Sequence, residues 1–126
     1  YKGMDITCGI NEGYGGILIR SIMNENNGSV IEGPCKVVNE ILDKLSVISV
    51  KDLVLDKLNN NLSCLNNNVL KLEEKHYDKC DIYYAPRIGL SMKGDIEEKK
   101  NWVMQNYRFI LFKDKIKKEK TKMIKM

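Results

Sequence analysis

DITCGINEGYGGILIRSI, residues 5–22, decides how the rest of the chain is read. Residues 5–10 are short, β-branched and apolar in alternation and read as a strand; NEGYGG at 11–16 supplies turn glycines, and ILIRSI at 17–22 reads as a second strand. Two such runs joined by a glycine-containing turn predict an antiparallel hairpin. Working outward, NENNG at 24–28 is loop, and GPCKVVNEILDKL at 33–45 is the best helix: Pro34 suits a first helical position, and Val37, Val38, Ile41, Leu42 and Leu45 fall on one face. SVKDLVLDKL at 49–58 reads as a shorter helix, with Ser49 or Asp52 available as a cap. The Asn-rich run 59–68 reads as a surface insertion, VLKLEE at 69–74 alternates like a strand, and DIYYAPRIGLS at 81–91 reads as a strand interrupted at Pro86. KGDIEEKKN at 93–101 reads as a charged loop and YRFILF at 107–112 as the last strand. The expected class is α+β: a curved, mostly antiparallel sheet with a few helices in a single domain.

Composition bounds what such a chain can be. Its 126 residues, 43% hydrophobic and 30% charged, suffice for one globular domain with one core. The net charge of +4 is unevenly placed: KDKIKKEKTKMIKM at 113–126 holds seven Lys against Asp114 and Glu119, which leaves residues 1–112 slightly negative. Such a basic end reads as a solvated tail, as an arm for nucleic acid, or as a localisation signal. Cys8, Cys35, Cys64 and Cys80 form no C-x-x-C pair, which argues against a zinc knuckle, and reduced intracellular thiols are expected. No apolar run approaches the ~20 residues that span a bilayer. The chain opens at Tyr1 without a leader and reads as a piece of a longer protein.

Catalytic signals are sparse. His76, the single histidine, sits in the mixed-charge run EEKHYDK, a poor setting for a Ser-His-Asp or Cys-His arrangement. There is no G-x-x-x-x-G-K-[ST], and Gly13-Tyr14-Gly15-Gly16 reads as a turn rather than a phosphate cradle. The carboxylate pairs Glu73-Glu74 and Glu97-Glu98 lie on polar stretches that read as exposed.

Read together, five motifs carry more: Gly3-Met4, GGILIR at 15–20, GPCK at 33–36, APRIGLS at 85–91 and WVMQNYRFIL at 102–111. Their order over residues 1–112 resembles the C-terminal portion of the alkyladenine, or 3-methyladenine, DNA glycosylase family. The resemblance implies a monofunctional nuclear repair enzyme that flips an alkylated or deaminated purine out of duplex DNA and hydrolyses its N-glycosidic bond with an activated water. It implies no cofactor. An alkylated purine is cationic and already a good leaving group, so a positioned water and stabilisation of an oxocarbenium-like sugar suffice.

Carried onto this chain, the resemblance makes Tyr1 the candidate wedge in the base stack, with Lys2 as an insertion before Gly3. Met4 and Asp5 would flank the flipped nucleotide and Leu18 would line the base pocket. Arg20 would hold the attacking water with the backbone carbonyl of Ile88; an arginine pairing with a carboxylate at a strand end is the plain alternative. Lys36, in the first turn of a helix, and Arg87 would face phosphate, with Lys93 a further DNA contact. Gly89 would leave room for the flipped nucleotide, against the alternative of a bulge. Gly9, or Asn11 if the match slips, stands where many members place an asparagine that rejects guanine. The family's general-base glutamate belongs to an N-terminal half that this chain lacks, so the implied partners are that half and duplex DNA carrying a damaged purine. The competing reading is a non-catalytic nucleic-acid-binding domain using Lys36, Arg87 and the basic end.

Overall fold

The computed structural model describes residues 1–76, 80–90, 96–118 and 123–126. They form an α+β fold of short antiparallel strands and helices, divided into two compact units, Tyr1–Lys75 and His76–Met126.

The first unit opens with the expected hairpin. β1 (Asp5–Ile10) pairs with β2 (Gly13–Leu18), Asp5 opposite Leu18 and Ile10 opposite Gly13. The turn is only Asn11 and Glu12, with Asn11 in the left-handed region at φ 57°, which asparagine tolerates better than most residues. Gly13, Gly15 and Gly16, read from the sequence as turn residues, are therefore strand residues. The run 17–22 is likewise broken: β2 ends at Leu18, and β3 (Ser21–Met23) starts a second hairpin with β4 (Val30–Glu32). Between them the loop at 24–28 is held by its own asparagines: Asn24 Oδ1 accepts from the Asn26 N–H and Asn27 Oδ1 from the Ser29 N–H.

α1 (Pro34–Lys44) follows, with Pro34 at its start and Lys44 in its last turn, where a cation suits the helix dipole. Its apolar face builds the core: Val38 and Leu42 cluster with Leu53 and Leu58, and Met4, Ile41, Leu45, Val47, Val54 and Leu70 pack around them. The second helical segment is less regular than expected. Ser49 caps α2 (Val50–Asp52) by accepting from the Asp52 N–H at 3.2 Å, and the chain then widens into a π-helical turn, Leu53–Lys57, closed by the Leu58 N–H on the Leu53 carbonyl. The Asn-rich run is a loop, with Asn59 and Asn60 both at positive φ and Asn68 Nδ2 donating to the Asn61 carbonyl. Residues 69–74 do not form the expected strand. Leu70 packs on the core, but among the described residues no strand lies alongside to pair with the backbone.

Gly33 is the most constrained backbone position of this unit. It caps α1 at φ 119°, ψ 130°, and its N–H donates to the Arg20 carbonyl at 2.8 Å. A Cβ there would meet nothing within 4 Å, so a substitution acts through the backbone alone. Gly33→Ala should therefore cost about 1–3 kcal/mol, read as a lower urea midpoint at unchanged slope.

The second unit is a three-stranded sheet in the order β6 (Arg108–Ile110), β5 (Tyr83–Ala85), β7 (Ile124–Lys125), all antiparallel. The expected strand at 81–91 shrinks to three residues: Pro86 has no N–H to continue the ladder, and Gly89 turns the chain at φ 74°. Residues 96–101 of the run 93–101 expected as charged loop belong to α3 (Ile96–Val103), and β6 replaces the longer strand expected at 107–112, with Phe112 beyond it at φ 51°. The basic end is not merely solvated. Lys113–Lys115 make a 3₁₀ turn, Ile116 and Met123 are buried with Ala85 and Ile110, and β7 pairs with β5. Asp81 anchors that last strand at 2.8 Å from Lys125 and raises the Lys125 pKa through hydrogen bonding and charge. An amine raised in this way stays charged throughout neutral pH, and the charge that holds the contact is lost as Lys125 deprotonates in alkaline solution.

Candidate nucleic-acid interface

The β1–β2 hairpin is a two-stranded sheet of its own, and its residues are mostly exposed on both faces. Directly opposed residues of an antiparallel pair share a face. One face thus carries Asp5, Thr7 and Gly9 from β1 with Leu18, Gly16 and Tyr14 from β2. Three of the four residues expected in a base pocket, Asp5, Gly9 and Leu18, fall together here. Met4 does not join them; its side chain packs against the core cluster while its carbonyl accepts from the Ile19 N–H at 2.9 Å, closing the foot of the hairpin.

The shape of this face follows from its glycines. Tyr14 lies over Gly9, where a Cβ would come within 2.9 Å of its ring, and is itself 88% exposed. Leu18 lies against Gly3 in the same manner, at 3.3 Å from a Cβ placed there. Between them Gly16 leaves open space, with nothing within 4 Å of where its side chain would stand. The result is a gap at Gly16, beside Thr7, with an aromatic ring at one end and an aliphatic side chain at the other. Sequence reasoning missed Tyr14, because Gly-Tyr-Gly-Gly was taken for a turn; the signal was the aromatic residue set between glycines at strand spacing.

A second group forms where the chain meets α1. The Lys2 N–H donates to Cys35 Sγ at 3.3 Å, Cys35 Sγ donates to the Lys2 carbonyl at 3.2 Å, and Lys2 Nζ donates to Asn39 Oδ1 at 3.2 Å. These bonds tie the segment carrying the exposed Tyr1 to the turns of α1 that bear Lys36, which is exposed. No acidic residue occupies the first turn of α1, so its free N–H groups and dipole favour an anion. The half-buried Arg20 sits at the foot of the hairpin, its carbonyl bound to the Gly33 N–H beside the same helix end.

The chain is similar to a mimivirus protein. That relative, described as an uncharacterized protein of Acanthamoeba polyphaga mimivirus, is 36% identical over 138 aligned residues, which take in 96% of this chain and 59% of the relative. The chain thus spans about three-fifths of the length of the curated relative it matches. No family model matches the chain, and no solved structure matches it.

The remaining expected positions lie in the second unit. Arg87 is exposed, Ile88 is half-buried, and Gly89 is exposed at φ 74° with nothing within 4 Å of a Cβ. The glycine is thus explained by the left-handed turn that its own backbone makes. Lys93 lies outside the described residues. Among the described residues no group of three His, Cys, Asp or Glu side chains is arranged to hold a metal, and no helix is long and apolar enough to cross a membrane. The four cysteines are free thiols. Glu73, one of the paired carboxylates, is exposed and held below the usual carboxylate range by the hydrogen bond and charge of Lys71.

Proposed function

We propose that this chain is the C-terminal portion of a DNA glycosylase of the alkyladenine type, acting on an alkylated or deaminated purine in duplex DNA. The observation that carries the reading is the open hairpin face, with a gap at Gly16 between Tyr14 and Leu18, together with a helix N-terminus to which Lys2 and the backbone of Arg20 are tied and which bears Lys36. A purine turned out of the stack is planar and needs a flat site with π or aliphatic contact at its edges. Its flanking phosphates need fixed cations and backbone donors, which the start of α1 supplies. Tyr1 fills the gap left in the duplex.

In this reading the arginine at 20 holds the attacking water. A glutamate from a further N-terminal segment removes its proton as the glycosidic bond lengthens. The water oxygen bonds to the sugar carbon and the base leaves with the bonding electrons: a cationic alkylated purine becomes neutral, and a deaminated purine takes up a proton from solvent as it leaves. The longer mimivirus relative leaves room for such a segment in proteins of this kind.

Gly16 provides the test. Because a Cβ there has nothing within 4 Å, Gly16→Val should leave the unfolding midpoint close to that of the natural chain while filling the gap in which the base would lie. Competition binding would compare a duplex holding an abasic-site analogue or a damaged purine with an undamaged one. The natural chain should favour the lesion duplexes, and the variant should lose its preference for the damaged purine by about 10-fold or more. Equal affinity of the natural chain for all three duplexes would favour a non-catalytic nucleic-acid-binding domain.

A further inference from the structure

The sheet of the second unit presents an uncovered face of its own. Tyr84 of β5 stands opposite Phe109 of β6 on one side and Ile124 of β7 on the other, so the three side chains form a row across one face. Phe109 is 64% exposed and Ile124 51%, whereas Ala85 and Ile110, on the alternate face, are buried. The aromatic surface continues at one end: Tyr107, two positions before Phe109, is exposed, and its ring centroid lies 6.3 Å from that of the exposed Trp102. Four aromatic residues thus belong to a strip of three short strands and the end of α3.

Charge indicates what covers this strip. Residues 76–126 carry thirteen basic against seven acidic side chains, whereas residues 1–75 carry eight basic against ten acidic. The positive excess of the protein therefore resides in the unit that exposes the aromatic sheet. An apolar polypeptide would match the rings and leave the cations without counterparts. A single strand of nucleic acid matches both, since every base offers a π-face and every nucleotide a phosphate.

We propose that the Phe109–Tyr84–Ile124 face binds single-stranded nucleic acid, bases stacking on the two rings while the phosphates at the edges of the strip are met by the lysine and arginine excess of this unit. This does not rest on the glycosylase reading, because it uses neither the hairpin nor Arg20. Flat sheets with paired aromatics accept successive bases with little regard to sequence, so the expected specificity is for unpaired strands rather than for a motif.

The test is fluorescence anisotropy of a labelled oligothymidylate titrated with the full chain at low salt, alongside the same label on a duplex. Saturable binding that weakens steeply with salt is expected, together with a change in emission from Trp102, the single tryptophan. Phe109→Ala should weaken oligothymidylate binding by about 5-fold or more, Phe109→Leu should do likewise, and Phe109→Trp should restore it. Phe109→Leu keeps the apolar bulk that a protein partner would use and removes only the ring, and circular dichroism verifies that each variant is folded. The proposal is overturned by the absence of saturable binding, by Phe109→Leu binding as tightly as the natural chain, or by Phe109 variants that alter only self-association measured by sedimentation.

Discussion

Arg20→Ala, in a protein that also carries the general-base segment, is expected to lower the single-turnover rate of base excision about 100-fold while changing the affinity for lesion-containing duplex by less than about 3-fold. The magnitude is that of removing one donor aimed at developing charge in a water-excluded site. The asymmetry between rate and affinity follows from position. Arg20 is half-buried at the foot of the hairpin, whereas Lys2 and Lys36 are exposed and, on the proposed reading, would reach phosphate first. The backbone of Arg20 contributes separately, since its carbonyl accepts from the Gly33 N–H, and alanine preserves that bond. Equal losses in rate and affinity would make Arg20 an ordinary phosphate contact and remove it from the water.

The second large effect is on stability. Leu42 is 3% exposed and lies between Val38, Leu53 and Leu58, the small cluster on which the first unit is built. Leu42→Ala should cost about 2–5 kcal/mol, the range for a buried leucine whose neighbours collapse only partly. Against the 5–15 kcal/mol typical of whole domains, that is a large fraction for a unit with so few buried side chains. Thermal unfolding followed at 222 nm should show a midpoint lowered by many degrees. An unchanged midpoint would mean that the α1 face does not hold this unit together. Emission from Trp102, in the other unit, reports separately whether the loss spreads there.

These two residues illustrate what could be read from the sequence. The apolar spacing of Val37, Val38, Ile41, Leu42 and Leu45 located α1 within a residue of its observed ends, because a helix closes its own hydrogen bonds and only one face needs a partner. β1 was legible for a related reason: its partner begins two residues after it ends. The failures share a cause. VLKLEE alternates correctly but has no strand beside it, whereas Ile124–Lys125, embedded in lysines, becomes a strand because β5 offers an open edge. Strand formation is decided by a neighbour that local pattern does not show. α3 was obscured because its charged residues suggested a loop, although Glu and Lys are good helix formers.

At the candidate site, glycine is hard to read from sequence. Gly13, Gly15 and Gly16 suggest a turn and are strand residues, and Gly89, which suggests either clearance for a nucleotide or a bulge, adopts a positive φ. Asp5, Gly9 and Leu18 share one face of the hairpin because its register is set by a two-residue turn. Met4 belongs to the core, a role that its position just before β1 did not reveal.

The most direct measurement is base release itself. A duplex containing a single hypoxanthine or 3-methyladenine is incubated with a protein that joins this chain to its glutamate-bearing segment, and the products are separated by mass. The account predicts free purine base and a duplex with one abasic sugar, formed by the natural sequence and nearly lost in Arg20→Ala. Lesion duplex that is bound tightly yet recovered intact would contradict it.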